Sequence, residues 1–167
     1  MSNSITVLPL SAQLITSESF RPYGQLITPS HDGKMFDERD AQLYLKNGVP
    51  RFYIMRLQTR GRKFNRITRH SQCTQCLGSL GGQEWFLGVA PPSPYPQPDL
   101  EKLKVFRIPG DCFIKLEVGT WHAGPLFDQP TIDFYNLELS DTNIIDHFTY
   151  NFAQEQSIEF EIVDGNN

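Results

Sequence analysis

A chain of 167 residues, 39% hydrophobic and 20% charged with a net charge of −4, is one domain's worth of sequence and can bury a core without disulfide staples. That charge leaves no polybasic groove for nucleic acid, and no apolar run is long enough to span a membrane. Residues 1–5 lack the basic and apolar regions of a secretory signal, so a cytoplasmic location is expected.

In chain order, short apolar or aromatic runs recur at 5–10, 24–28, 52–58, 84–89, 104–108, 113–118, 132–139, 147–151 and 158–162. They have the length of strands, and Gly and Pro punctuate them. The one helix signal follows the first run, where Thr16 can cap a single turn through Phe20 and Pro22 restricts Arg21 enough to stop it. Asp32-Gly33 reads as a turn, and Asn47-Gly48 has the form of a tight hairpin turn. Residues 90–99 hold five prolines, which bars them from a central strand and makes them a stiff surface crossing. The expected class is all-β, an antiparallel sandwich or barrel in one domain over 1–167 with a short N-terminal helix.

Three cysteines, Cys73, Cys76 and Cys112, leave one unpaired in any disulfide scheme, which fits reduced thiols. The Cys73-Thr74-Gln75-Cys76 spacing allows redox chemistry, or zinc binding together with His70. It lacks the Cys-Gly-Pro-Cys helix start for the first and a fourth ligand for the second, so packing is the simpler reading.

Two of the four histidines are the first candidates for chemistry, the alternative for each being a satisfied, half-buried ring. His70 lies in Arg69-His70-Ser71-Gln72-Cys73-Thr74-Gln75, and His122 lies in Val118-Gly119-Thr120-Trp121-His122-Ala123-Gly124-Pro125-Leu126. Imidazole exchanges protons near neutrality, so two such segments in a β-rich chain suggest one polar site. Glu117 is the alternative base, although five residues of strand would put it on the opposite face from His122 unless a turn at Gly119 resets the alternation. Lys115 shares parity with Glu117 and could supply a cation. Arg69 is either a substrate contact or a salt bridge, and Gln75 is either a substrate contact or a backbone cap. Trp121 is expected in the pocket wall and Trp85 in the core. Asp133 is expected behind a histidine, fixing its tautomer, or in a salt bridge at a subunit interface.

Arg69-His70 with Gln75, Gly81-Gly82 and Val89-Ala90-Pro91 resembles the first conserved block of the ureidoglycolate lyase family. Trp121-His122, Pro125-Leu126 and Asp133-Phe134 resemble its second block. Val7-Leu8-Pro9-Leu10 and Phe20 with Tyr23-Gly24 extend the resemblance toward the start. It implies a cupin-like, jelly-roll type β-barrel, homodimeric, acting in purine and allantoin catabolism on a small anionic ureido or hydroxy acid. The implied reaction cleaves ureidoglycolate to glyoxylate and urea, with His122 as general base and His70 as orienter or proton donor. No cofactor is implied beyond a weakly bound divalent metal on His70, Gln75 and His122, since an amide stands where cupins place a carboxylate. The chain departs from the family pattern where Thr68 and Ser71 replace the usual Glu and Pro, where Glu117 stands for the His of some members, and at Gly124, an insertion before Pro125. A fold can host other chemistry, and a non-catalytic small-acid or sugar-binding cupin and a metal-dependent isomerase or oxygenase are the alternatives.

Overall fold

The computed structural model describes residues 4–165 and arranges them in two β-sheets. The larger sheet holds eight strands: β1 (Thr6–Leu14), β4 (Lys63–Phe64), β5 (Arg66–Arg69), β7 (Gly82–Ala90), β8 (Lys104–Gly110), β10 (Trp121–Leu126), β12 (Phe148–Asn151) and β13 (Ile158–Asp164), in the order β12-β5-β10-β7-β8-β1-β13-β4. The smaller holds β2 (Gly24–Ile27), β3 (Pro50–Gln58), β6 (Gln75–Ser79), β9 (Phe113–Leu116) and β11 (Thr131–Leu139), in the order β2-β9-β6-β11-β3. Three short α-helices, α1 (Ser17–Phe20), α2 (Thr142–Ile145) and α3 (Phe152–Gln156), and one 3-10 turn at Leu100–Lys102 complete it. Among the described residues no helix is long and apolar enough to cross a membrane.

Alternation along the strands makes two apolar clusters. On β7, Trp85, Leu87 and Val89 face the small sheet and join Phe106, Ile108, Ile114, Phe134 and Phe20 in an intersheet core. Phe86 and Ala90 of the same strand face the other way and join Phe64, Ile67, Trp121, Phe152 and Phe160. Both faces of the large sheet are therefore apolar, and each fully buried aromatic contributes roughly 1.5–3 kcal/mol. The second cluster is enclosed because the sheet curls: its last strand β4 and its second strand β5 are separated in the chain by Asn65 alone.

The short helix forms where the sequence places it, with the Thr16 hydroxyl accepting from the Ser19 N–H at 3.1 Å and Ser19 returning a bond to the cap. Two expectations need correction, and one gains a detail. The sheets are mostly antiparallel as expected, but β1 runs parallel to both β13 and β8. Parallel neighbours require long crossovers, which short-range turn signals do not reveal. Asn47-Gly48 makes no hairpin, because residues 28–49 contain no strand and the Asn47 amide instead donates to the Gln72 main-chain and side-chain oxygens. Four strands, β4, β5, β6 and β10, were not among the expected runs.

Candidate active site

His70 directly follows β5, and His122 lies on β10 opposite Thr68 of β5. Trp121 and Ala123 point into the second cluster, so His122 between them points toward the small sheet. The two imidazoles meet at the end of the intersheet core with ring centroids 5.0 Å apart. They line a narrow cleft with Cys73, Gln75, Leu116, Glu117 and Thr120, too tight as it stands to hold a water molecule.

A turn makes this convergence possible. The Thr120 N–H donates to the Glu117 carbonyl at 3.1 Å, and Gly119 takes the third position with φ +83°, a conformation that favours glycine. The Gly119 N–H then donates to the His70 carbonyl at 2.7 Å, tying the two histidine segments together. The turn resets the alternation, so Glu117 lines the same cavity as His122.

The environments of the two rings differ. His70 Nδ1 lies 2.5 Å from the Asp146 carbonyl, and a carbonyl only accepts, so Nδ1 carries the hydrogen and Nε2 keeps its lone pair. Burial pushes the His70 pKa below the ordinary value, and the Asp146 carbonyl bond and the Asp146 and Glu138 carboxylates pull against that push. His122 has only a long contact from Nδ1 to the Thr120 carbonyl, 3.5 Å, and burial followed by the field of His70 pushes it down to about 3. Both rings are therefore neutral at neutral pH. A third imidazole, the exposed His147, lies with its centroid 5.7 Å from that of His70.

Two departures from the family pattern have structural roles here. Ser71 donates from its N–H at 2.7 Å and from its hydroxyl at 3.0 Å to Asp146 Oδ1, while the Gln72 N–H donates to Oδ2 at 2.8 Å. A proline at position 71 offers neither donor. Gly124 is the extra residue of a β-bulge, since Ala123 pairs with Gly88 and Leu126 with Phe86, and its φ of +120° explains why it is glycine.

The other expected site residues are dispersed. Arg69 points away from His70, stacks over Trp121 with 4.4 Å to the ring centroid, and donates to the Ser93 and Tyr95 carbonyls, pinning the proline-rich loop. Among the described residues it thus neither lines the histidine cavity nor forms a salt bridge. Trp121 is buried in the second cluster rather than in the cavity wall, while Trp85 is in the intersheet core. Asp133 is not behind a histidine, because its odd position on β11 puts it on the outer face, where Arg56 grips it with two bonds of 2.8 and 3.0 Å. Lys115 is fully buried on the face of β9 away from Leu116, and its ammonium reaches round the strand end to Glu117. Cys73, Cys76 and Cys112 are free thiols, with Cys76 pushed up to about 12 by burial, which makes it unreactive.

The weak metal that the resemblance implies is not matched by the donors present. Among the described residues no three of His, Cys, Asp and Glu stand together as a metal-holding set. His70 Nε2 and a nitrogen of His122 could ligate, but Gln75 offers only a neutral oxygen, and two imidazoles with an amide make a poor set for a divalent ion.

Asp146, Glu138 and His147 are the site residues that sequence reasoning missed. Glu138 had a usable signal, since it shares parity on β11 with the core-facing Ile132 and Phe134. Asp146 and His147 had none, because they reach His70 from far along the chain. A family model described as ureidoglycolate lyase matches residues 7–158 of the chain. No curated protein matches it.

Proposed function

Because the chain belongs to the ureidoglycolate lyase family, enzymes of allantoin catabolism that cleave ureidoglycolate to glyoxylate and urea, we propose that His70 and His122 form the proton-transfer site of that cleavage. The observation that supports this most is the contact of two neutral imidazoles in one cavity. The reaction moves a proton from the substrate hydroxyl to the departing urea nitrogen and consumes none. One neutral imidazole can lift that proton, and its imidazolium can return it as the carbon–nitrogen bond breaks.

The environments divide the work differently from the sequence expectation. His70, polarised by the Asp146 carbonyl and facing two carboxylates, holds the transferred proton better, while His122 stays neutral and orients the hydroxyl. The substrate carboxylate needs a cation, and with Arg69 held by the proline-rich loop, Lys115 is the cation that reaches the cavity lining. In the scheme the carboxylate takes the place of Glu117 on the Lys115 ammonium, and the half-buried Glu117 swings outward to make room.

Purified protein is expected to release urea and glyoxylate in equal amounts from ureidoglycolate, without nicotinamide or oxygen. A coupled assay for both products checks this. Release no faster than spontaneous decay removes the reading and leaves a binding protein for small acids.

The curled large sheet and the facing small sheet support a cupin-like, jelly-roll type barrel as the finer description of the fold. The free thiols support a reducing, cytoplasmic location. A homodimer is proposed through β3, an edge strand of the small sheet on which Phe52 is 70% and Ile54 64% exposed. Bare apolar edge strands are templates for pairing with another chain. Light scattering at micromolar concentration should give twice the 19.1 kDa chain mass, and Ile54→Lys should shift it toward one. A wild-type monomer overturns the dimer.

A further inference from the structure

Glu138 is a buried carboxyl group that enters the proton-transfer scheme only through its field on His70. It is 1% exposed, and its side-chain partners are neutral. Gln75 Nε2 donates to Oε2 at 3.2 Å, Asn143 Nδ2 donates to Oε1 at 3.2 Å, and the Tyr53 hydroxyl reaches Oε1 at 3.5 Å. Among the described residues it makes no ion pair. Asn136 closes a ring, accepting from Gln75 Nε2 at 3.0 Å and donating from its own Nδ2 to the Tyr53 oxygen at 3.2 Å.

One atom at the edge of this ring is left over. Gln75 is 6% exposed and lines the histidine cavity, yet its Oε1 is buried with no partner. Buried polar atoms are nearly always paired, so an orphan acceptor on a side chain that lines a reaction cavity points to a ligand that donates. Its orientation is dictated from behind. A carboxylate only accepts, so Glu138 requires the amide to turn its NH₂ inward, whereas a flipped amide sets oxygen against oxygen.

We propose that Glu138 is a positioning residue that fixes Gln75 Oε1 as the acceptor for an N–H of the ureido group, and so selects ureido acids over isosteres without that N–H. Glu138 itself does not touch the substrate. The proposal rests on the lyase reading of the site. An isostere leaves the buried acceptor unpaired, which corresponds to about tenfold or more in affinity.

The test uses two uncleavable acids of matched shape. N-carbamoylglycine carries the ureido N–H groups, and acetoxyacetate replaces them with an ester oxygen and a methyl. Calorimetric titration of wild-type protein should show at least about tenfold tighter binding of N-carbamoylglycine. Glu138→Gln, which frees the Gln75 amide to adopt either orientation, should bring the two affinities close together while thermal melting shows a folded protein. Tyr53→Phe, which leaves the carboxylate in place, should keep the preference, whereas a general loosening of the cavity would erase it. If Glu138→Gln does not fold, Glu138→Asp, which withdraws the carboxylate by one methylene, is read in the same way. No preference in wild type, no binding of either acid, or a preference unchanged in Glu138→Gln overturns the proposal. A preference without urea release from ureidoglycolate keeps it and removes the lyase reading, and cleavage without a preference does the reverse.

Discussion

Alanine at His70 or at His122 should lower kcat for the release of urea and glyoxylate by about 10²–10⁴-fold, the usual worth of a positioned proton transfer. Each ring acts where charge develops: His70 takes the proton, and His122 holds the hydroxyl from which it leaves. Neither interaction is complete in the ground state, so kcat and kcat/KM should fall together. Both rings lie at the end of the intersheet core, and the Trp85 to Phe134 packing in its middle, with centroids 5.1 Å apart, is untouched by either change. The strand signature in circular dichroism should therefore persist. Steady-state kinetics of the two variants with both products quantified is the check, and rates equal to wild type in either variant exclude that ring from the chemistry.

Acid should weaken the folded state well before the carboxylates titrate. His122 is pushed down to about 3 by burial and by its histidine neighbours, and His70 is also lowered. In the unfolded chain each titrates near its ordinary value of about 6.5. The unfolded state thus binds more protons between those limits. The stability from neutral burial is complete above about pH 6.5 and is lost progressively as the pH falls toward 3. At about 1.4 kcal/mol per unit, His122 alone accounts for roughly 2 kcal/mol between pH 6.5 and pH 5. Urea denaturation at pH 7.5 and pH 5 should show this loss in wild type, and His122→Asn should lose about 2 kcal/mol less over the same interval. Equal losses in the two proteins would mean that His122 already titrates normally in the fold.

The strands that build the intersheet core were readable because they alternate. In β11, Ile132 and Phe134 face inward and Asp133 faces outward, and the same parity puts Asn136 and Glu138 inside. That alternation speaks against Asp133 as a histidine partner and for Glu138, a signal the sequence reading passed over. The strands that carry the site were not readable, for a physical reason. β10 contains Gly124 and Pro125, which ordinarily demote a run from strand to loop and here form a bulge. β6 is Gln-Cys-Leu-Gly-Ser, whose polar members face a cavity and so break the apolar pattern. The histidine pair was visible as two segments, and the turn at Gly119 gave the one local hint of how they meet. The contact from Asp146 to His70 spans 76 positions and leaves no local trace.

The pairing of Thr6 with Ile158 also bears on the order in which the molecule is assembled during synthesis. As the chain leaves the ribosome, β5, β7, β8 and β10 can associate while β1 still lacks its longer partner. β1 stays exposed until β13 emerges, apart from its three-residue register with β8. Only then can β4 dock on β13, and because Asn65 alone separates β4 from β5, that late event also closes the end of the sheet beside the strand that leads to His70. Such long sequence separations slow folding and prolong the exposure of unpaired edges. Vectorial synthesis should thus complete the catalytic end of the molecule last, with the nascent β1 most in need of protection by a chaperone.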